Sequence, residues 1–464
     1  MTPDAAANTT PGTGPALAAG GADASSRVLH RSLAHGMPMA THAKGNYLYM
    51  SDGSRILDAS GGAAVVSVGH GVPEIVDAVS KQVGTLPYVS SAVFGIEPAE
   101  DLANKMCEEA GMARVIFLSG GSEAVESAIK LCRQYHVENG EPERTKFIAR
   151  EISYHGNTMG ALALGRHNRR RKLYLPMMPD VFHAVSACNA WRFKQHAESD
   201  DEYVARLAAE LDDKITQLGP ATVAAFFAEP VVGAASGCVP FVPGYLKAMK
   251  RVCERHGVLF CLDEIMCGAG RTGMMHAWMH DGPEARPDVQ TLGKGLCGGY
   301  APLSAVLVGD KVVDVLRRGT GAFVNGYTFQ SSGTGTAAGL AVYNYIKEHK
   351  LVEQCAARGE LLAKLLREKV GPLKHVGDVR GMGLFWGIEL VADKTTKTPF
   401  KYEDNVNGRL ADAILARGVA VYHGAGSADG WDGDHIMLCP PYTITEDEVA
   451  HVVAVVADAI NAIL

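Results

Sequence analysis

The chain has 464 residues, of which 47% are hydrophobic and 20% charged, so it is long enough for two to four domains and has the composition of a folded globular protein. Its 44 basic and 51 acidic residues give a net charge of −7, which argues against nucleic acid or an anionic membrane surface as the main partner. No apolar stretch reaches about 18 residues, so we expect no transmembrane helix. The ten scattered cysteines lack a C-x-x-C pair and predict reduced thiols in a cytoplasmic protein, rather than disulfides or a metal site.

The first 26 residues are mainly small and polar, and we expect them to form a mobile tail. From about residue 75, short apolar runs alternate with helical patterns, and each run ends in polar or glycine-rich residues. These apolar runs are Val115–Leu118, Phe147–Ala149, Val223–Ala228 and Val258–Leu262. The alternation predicts an α/β fold with a mostly parallel sheet covered by helices on both faces. Ligands of such folds bind beyond the carboxyl ends of the strands.

After about residue 340 the pattern changes to that of a smaller α+β domain. Long helices are predicted over Leu351–Val370 and Glu446–Leu464, and Thr445 and Glu448 have the spacing of a capping box at the start of the second. No internal repeat is visible.

Two segments carry charged residues beside apolar runs. Asp263 and Glu264 follow Val258–Leu262, and buried carboxylates without a partner cost several kcal/mol, so donors are expected nearby; a solvated strand end is the alternative. Lys294 lies in an apolar, glycine-rich segment, where desolvation lowers a lysine pKa and makes the amine nucleophilic. A surface lysine whose stem lies along apolar side chains is the alternative.

Two further segments could bind an anion and a ring. Ser119–Ser122 joins a strand to a helix N-terminus, whose free N–H groups and dipole favour an anion. A plain N-cap at Ser122 is compatible with that role. Tyr154 follows the strand Phe147–Ala149 and could stack on a planar ligand, although an ordinary core or loop tyrosine is the alternative.

Together the four segments fit a planar, phosphorylated heteroaromatic aldehyde. The helix N-terminus would hold the phosphate, Tyr154 would stack on the ring, a carboxylate would pair with the ring nitrogen, and Lys294 would form a Schiff base. The predicted cofactor is pyridoxal 5'-phosphate (PLP), and no metal site is expected.

From about Gly45 to the C-terminus the sequence resembles the class III aminotransferases of PLP fold type I, and among them the omega-transaminases. The motifs that carry the resemblance are Gly45-Asn-Tyr-Leu-Tyr, Ser119-Gly-Gly-Ser-Glu-Ala, Tyr154-His-Gly-Asn-Thr, Glu229-Pro-Val-Val-Gly, Asp263-Glu-Ile, Gly270-Arg-Thr-Gly, Leu292-Gly-Lys-Gly, Thr328 and Arg380-Gly-Met-Gly-Leu. Each motif is weak alone, but their order and spacing are specific.

The resemblance implies a large PLP-binding domain over residues 76–340, with a mostly parallel seven-stranded sheet flanked by helices. It implies a smaller α+β domain made of residues 27–75 and 341–464. The protein would be an obligate homodimer with active sites at the interface, and a tetramer is the alternative assembly.

The resemblance also assigns roles to individual residues. The positions that hold the cofactor in this family are occupied here by Gly121, Ser122, Tyr154, His155, Glu229, Asp263, Ile265, Lys294 and Thr328. Lys294 would be the Schiff-base lysine, Asp263 the partner of the pyridine nitrogen, and Thr328 a contact to the neighbouring subunit's phosphate. Gly121 and Ser122 would hold the phosphate, and Tyr154 and Ile265 would enclose the ring. Lys294, Asp263 and Tyr154 are the expected catalytic residues.

Substrate binding is expected to involve Arg380, Glu229, Tyr88 and Phe94. By the resemblance, Glu229 and Arg380 form an ion pair that opens when Arg380 clamps the carboxylate of a keto acid. A static structural pair is the alternative. The region from Val421 to Ser427 lacks the mobile arginine of some amine transaminases, and the phenylalanine usual after Asp263-Glu264 is also missing.

The predicted reaction moves an amino group from an amine or omega-amino acid donor to pyruvate or 2-oxoglutarate by a ping-pong mechanism. Another PLP reaction, by a decarboxylase, phospho-lyase, racemase or aminomutase, is the nearest alternative, because fold does not fix the reaction. A remote alternative is an NAD-dependent dehydrogenase, since Gly268–Gly273 matches G-x-G-x-x-G. The basic run Arg169–Lys172 is interpreted as a solvated loop, with an anion-attracting rim of the active site as the alternative.

Overall fold

The computed structural model describes residues 26–31 and 36–464, so the predicted tail lies outside the described part except for Ser26. The α-helices are α1 (Gly61–Ala64), α2 (Pro73–Thr85), α3 (Glu97–Ala110), α4 (Gly121–Glu138), α5 (Met159–Leu164), α6 (Asn168–Arg171), α7 (Ala190–Phe193), α8 (Asp200–Leu218), α9 (Tyr245–His256), α10 (Asp310–Arg318), α11 (Gly333–Glu348), α12 (Leu351–Lys369), α13 (Val406–Leu415) and α14 (Glu446–Ile463).

The strands fall into four sheets. They are β1 (Ala40–Lys44), β2 (Tyr47–Met50), β3 (Arg55–Asp58), β4 (Arg114–Leu118), β5 (Lys146–Arg150), β6 (Phe182–Val185), β7 (Val223–Ala228), β8 (Val231–Val232), β9 (Val239–Pro240), β10 (Leu259–Glu264), β11 (Val289–Leu292), β12 (Ser304–Val308), β13 (Val376–Met382), β14 (Phe385–Asp393), β15 (Thr398–Pro399), β16 (Val419–Ala420), β17 (Tyr422–Ala425) and β18 (Asp434–Leu438).

The largest sheet has seven strands in the order β4-β12-β11-β10-β7-β5-β6. The pairs from β11 through β6 are parallel, and β12 runs antiparallel to both of its neighbours. This confirms the predicted mostly parallel sheet. Because the parallel strands point the same way, their carboxyl ends meet at one edge, where the polar residues of the sequence motifs follow them.

Both faces of the seven-stranded sheet are covered by apolar side chains. Phe226 and Phe260 face the core that includes residues of α8 and α9, and their rings stack with centroids 6.3 Å apart. Phe227 and Cys261, one residue further along each strand, face the opposite core, which includes residues of α4. This alternation of successive side chains explains why the strands read as continuous apolar runs.

Two smaller sheets are built from the ends of the chain. β1, β2 and β3 pair in an antiparallel manner, and β3 is joined in parallel by β16, so that Leu57 lies beside Val419. β13, β14, β18 and β17 form the second small sheet, and β15 pairs with β14. Helices α12 and α14 pack on this part of the chain in one apolar core.

Helix α14 begins as the sequence predicts. The side chain of Thr445 accepts a hydrogen bond from the N–H of Glu448, and the carboxylate of Glu448 accepts one from the N–H of Thr445. This capping box satisfies helix N–H groups that have no partner within the helix. Within residues 26–31 and 36–464, no helix is long and apolar enough to cross a lipid bilayer.

Candidate active site

The carboxylate of Asp263 lies at the carboxyl end of β10 and is held by three donors. One oxygen accepts hydrogen bonds from the N–H of Ile265 and the hydroxyl of Thr291, each at 3.1 Å, and the other accepts one from Nδ1 of His155 at 2.8 Å. Thr291 reaches Asp263 because the two residues are partners in the parallel register of β10 and β11. These three donors hold the carboxylate in one fixed orientation.

Lys294 follows β11 after Gly293 and begins a single 3₁₀ turn, Lys294–Leu296. Its φ of 46° lies in the left-handed region, which costs a non-glycine residue of the order of 1–3 kcal/mol and is found most often at functional sites. Burial lowers the pKa of the Lys294 amine, while the negative charges of Asp263 and Glu229 act in the opposite direction. The net effect is a lowered pKa, so the amine of Lys294 is neutral and nucleophilic more often than that of an exposed lysine.

The N-terminus of α4 lies beside the same strand ends. The side chain of Glu123 accepts hydrogen bonds from the N–H groups of Ser119 and Gly120. Among the described residues, the first-turn N–H groups of Gly121 and Ser122 have no acceptor, as expected at a helix start. Free N–H groups at the positive end of an 18-residue helix form an anion site, so this end of the site fits a phosphate.

The side chain of Ile265 closes the space between Gly121 and the lysine segment. A Cβ on Gly121 would lie 2.8 Å from Cδ1 of Ile265, and a Cβ on Gly293 would lie 3.3 Å from Cγ2 of the same side chain. A side chain at position 121 would therefore require Ile265 to shift. Ser304 supports this junction, because its hydroxyl donates to the carbonyl oxygen of Gly120 at 2.8 Å.

Glu229 fixes the backbone beside Tyr154. Its two carboxylate oxygens accept hydrogen bonds from the N–H groups of Tyr154 and Gly233, both at 3.0 Å. Burial raises the pKa of the Glu229 carboxyl. The ring of Tyr154 packs against Val232, Ala235 and Val239, so the aromatic ring is held in place by apolar contacts.

The predicted ion pair between Glu229 and Arg380 is wrong for this structure. Arg380 forms ion pairs with Glu389 and with Asp378, the latter at 3.0 Å, and it also donates to the carbonyl oxygens of Ser236 and Gly237. The cause is the β13–β14 pairing, which brings Arg380 next to the completely buried Glu389. Glu229 meanwhile uses both oxygens on backbone N–H groups.

Three other predicted residues are exposed in the single chain. Tyr88 and Phe94 are exposed to 45% and 61%, and Tyr88 packs edge-on against Phe329 with ring centroids 5.8 Å apart. Thr328, beside Phe329, is also exposed. None of the three makes a hydrogen bond to the predicted cofactor residues among the described contacts.

Two supporting residues were not predicted from the sequence. Thr291 orients Asp263, and its role follows only from the register of two strands. Glu126 on α4 accepts hydrogen bonds from the hydroxyl of Thr158 at 2.7 Å and from the N–H of Ala161 at 3.1 Å. It thereby holds the loop that follows Tyr154. The position of Glu126 one turn after the Ser119–Ser122 segment could have suggested this contact.

The basic run is part of the site's surroundings. The guanidinium carbon of Arg170 lies 4.7 Å from the ring centroid of Tyr154. The dinucleotide-binding alternative fails at Gly268–Gly273, because no long helix begins there and the segment from residue 265 to 276 consists of turns.

Comparisons with known proteins agree with this geometry. The family model described as "Aminotransferase class-III" matches residues 30–460. An uncharacterized aminotransferase of Schizosaccharomyces pombe is 44% identical over 437 residues, which are 94% of this chain and 95% of the relative. An uncharacterized aminotransferase of Bacillus subtilis is 34% identical over 441 residues, covering 95% and 98% of the two chains.

Solved structures give the same result. The PLP-bound amine transaminase from an uncultivated Pseudomonas species superposes with a TM-score of 0.89 at 32% sequence identity, over 95% of this chain and all of that chain. The Bacillus anthracis aminotransferase gives a TM-score of 0.86 at 33% identity. These similarities agree with the strand-end carboxylate, the lysine segment and the free helix N-terminus described above. The chain belongs to the class III aminotransferases and is a PLP-dependent enzyme of fold type I.

Proposed function

We propose that the protein transfers an amino group from an amine or omega-amino acid to a keto acid, pyruvate or 2-oxoglutarate, in two half-reactions that share one site. The observation that carries this proposal is the convergence of Lys294, Asp263 and the N-terminus of α4 at one edge of the sheet. When bound, PLP supplies an electrophilic carbonyl and a ring that accepts electrons from the substrate carbon.

Lys294 acts as the nucleophile that holds the cofactor and then as the carrier of a proton. Its lowered pKa favours a neutral amine, which can attack a carbonyl and accept a proton. The strained backbone at Lys294 keeps the amine at the end of β11.

Asp263 maintains a protonated ring nitrogen. The donors Thr291, Ile265 and His155 hold its carboxylate in one orientation, so its charge faces the site without reorganisation. His155 must carry its proton on Nδ1 to donate to Asp263.

The remaining contacts of the cofactor come from both sides of the site. Gly121 and Ser122 would hold the phosphate through their N–H groups, and Tyr154 and Ile265 would lie against the ring. Glu229 supports Tyr154 by holding its backbone N–H.

The assembly is a homodimer, with a tetramer as the alternative, and each site takes a contact from Thr328 of the neighbouring subunit. The exposure of apolar side chains around Thr328 supports this, because such patches mark interaction surfaces. The exposed residues are Tyr88, Val93, Phe94, Val324 and Phe329.

The compartment and the domain division are also proposals. Ten free thiols, nine of them buried, support a reducing compartment such as the cytoplasm. The pairing of β16 with β3 supports a small domain made of residues 27–75 and 341–464 beside the large domain 76–340.

The test is an absorbance spectrum of the PLP-loaded protein during addition of amines without a keto acid. Transamination predicts loss of the cofactor's visible band, one carbonyl product per site, and return of the band when pyruvate or 2-oxoglutarate is added. An unchanged band with continuing product release would instead indicate a decarboxylase, phospho-lyase, racemase or aminomutase.

A further inference from the structure

The arginine expected to clamp a substrate carboxylate is already occupied. Arg380 donates to two carboxylates and two carbonyl oxygens within the protein. Glu389, one of these carboxylates, is completely buried and also binds Arg192. Opening this cluster would remove one of the two arginines that pair with this completely buried carboxylate, which is strongly destabilising. A carboxylate-bearing substrate therefore needs another cation.

Arg170 is a cation beside the site whose charge is not neutralised. Its guanidinium lies 4.7 Å from the ring centroid of Tyr154, and it forms no ion pair with any carboxylate in the described part of the chain. Its neighbours are used differently. Arg169 stacks 3.6 Å from the ring of Tyr402 and donates to its hydroxyl, and Lys172 lies 4.8 Å from the ring of Trp431.

The stacking leaves the donors of Arg170 available. A guanidinium that stacks on an aromatic ring uses its planar face, whereas its N–H groups point outward in the plane. A carboxylate can approach that edge and accept two parallel hydrogen bonds. The half-buried position of Arg170 strengthens such bonds relative to those on an open surface.

The backbone that carries Arg170 is fixed by a distant segment. Just before α6, Nε2 of His167 donates to the carbonyl oxygen of Ala425 at 2.9 Å. Within α6, the N–H of Arg169 donates to the carbonyl oxygen of Gly430 at 3.0 Å. Asn168 adds a hydrogen bond to Asp429. Because α6 is held before any substrate arrives, binding to Arg170 costs little conformational entropy.

The charge of Arg170 also reaches the reacting amine. Burial is the main cause of the lowered pKa of Lys294, and the positive charge of Arg170 acts in the same direction. Arg170 likewise contributes to the lowered pKa of the buried His435, after burial, Arg380 and His167. The charge of Arg170 is therefore felt at Lys294, and its contact with the ring of Tyr154 places it at the side of the candidate site.

We propose that Arg170 binds the carboxylate of acid substrates beside the ring of Tyr154, and that it replaces the arginine missing from the segment 421–427. The inference rests on the proposed transaminase function. The ligand is a carboxylate, either that of the keto acid acceptor or the terminal one of an omega-amino acid donor. An amine donor without an acid group does not need Arg170.

The experiment compares Arg170→Gln and Arg170→Lys with the matched control Arg251→Gln, a change of an exposed arginine on α9, all loaded with PLP. Binding of propionate, a carboxylate that cannot react, is measured by calorimetry. The KM values for pyruvate, 2-oxoglutarate and β-alanine are measured beside the half-reaction rate with propylamine. Loss of a charge-assisted bidentate contact predicts propionate affinity weakened about 10- to 100-fold in Arg170→Gln. Arg170→Lys should recover part of it, and Arg251→Gln should match the wild type.

The KM values identify which carboxylate binds. A raised KM for both keto acids but not for β-alanine assigns the contact to the acceptor, and the reverse assigns it to the donor. Unchanged propionate binding in Arg170→Gln would overturn the inference. Equal losses of activity with propylamine and with acid substrates would also overturn it, because they would indicate a structural role of Arg170. If the wild type gave no amino transfer but bound propionate through Arg170, the transaminase proposal would fail and the carboxylate site would stand.

Discussion

The two sides of the candidate active site are built in different ways. The first, which we call the sheet edge, consists of Asp263, Thr291 and Lys294 at the ends of β10 and β11, with the N-terminus of α4. The second, which we call the loop wall, consists of α6 and the segment 425–433.

Residues of the sheet edge follow neighbouring strands, and hydrogen bonds in the strand register fix them. The loop wall joins segments about 260 residues apart through backbone carbonyls and cation–aromatic contacts. A chemical step shared by a whole family needs the invariant geometry of a sheet, whereas loops can change the choice of substrate without disturbing it.

The largest expected effect is at the sheet edge. Lys294→Ala should lower the turnover by about 10²- to 10⁴-fold, because it removes the group that accepts and returns the substrate proton. Steady-state kinetics measure the loss, and Lys105→Ala, a change of an exposed lysine on α3, is the control. Undiminished turnover in Lys294→Ala would remove the chemical basis of the sheet edge.

The second test uses the pH dependence of stability. Burial raises the pKa of Glu264, next to Asp263, to about 8 from an ordinary value of 4.5. Between pH 4.5 and about 8 the native state binds more protons than the unfolded state. The stability that protonated Glu264 contributes is therefore fully present below pH 4.5 and is lost as the pH rises to about 8. The slope is about 1.4 kcal/mol per pH unit in that window.

Glu264→Gln should remove this slope. Because the amide does not titrate and resembles the protonated carboxyl, the two free energies of unfolding should be closest at about pH 5, and that of the wild type should fall below that of the variant as the pH rises to about 8. Urea unfolding at saturating PLP measures both proteins. Parallel curves would mean that Glu264 does not titrate in this range.

A smaller effect is expected where α4 begins. Gly121→Ala places a Cβ 2.8 Å from Ile265, and such overpacking costs about 1–3 kcal/mol. PLP affinity, measured by titration of the apoprotein, should fall roughly 5- to 100-fold. Gly120→Ala is the matched control, since a Cβ there meets nothing within 4 Å. If both variants bind PLP alike, the close packing at Gly121 does not matter for the anion site.

The smallest effect concerns one hydrogen bond of Asp263. Thr291→Val removes the hydroxyl that donates at 3.1 Å, at a cost of about 0.5–1.5 kcal/mol. The ratio kcat/KM should fall up to about tenfold with every donor, while propionate binding at the loop wall stays unchanged. Thr291→Ser keeps the hydroxyl and should restore the wild-type ratio. A loss confined to acid substrates would show that the two sides do not act separately.

Much of the sheet edge could be predicted from the sequence. The apolar runs ending in Asp263 and in Ser119–Ser122 predicted both the strands and the edge at which they converge. The predicted helix Leu351–Val370 was confirmed and ends at Lys369, and the predicted capping box at Thr445 was also confirmed. The domain bounds and the roles of Thr328, Tyr88 and Phe94 stay predictions, because they depend on a second subunit or on bound substrate.

The sequence by itself determined the fold class, the family and the segments that carry Asp263, Lys294 and the start of α4, because strand burial, helix capping and motif spacing are local properties of the chain. Only the tertiary structure decided which partner each arginine takes. Because β13 pairs with β14, Arg380 forms an ion pair with Glu389 instead of Glu229. Because α6 contacts residues 425–433, the guanidinium of Arg170 lies over the ring of Tyr154. Such partners lie on elements far apart in the chain, so their choice depends on how those elements pack, which no local pattern encodes.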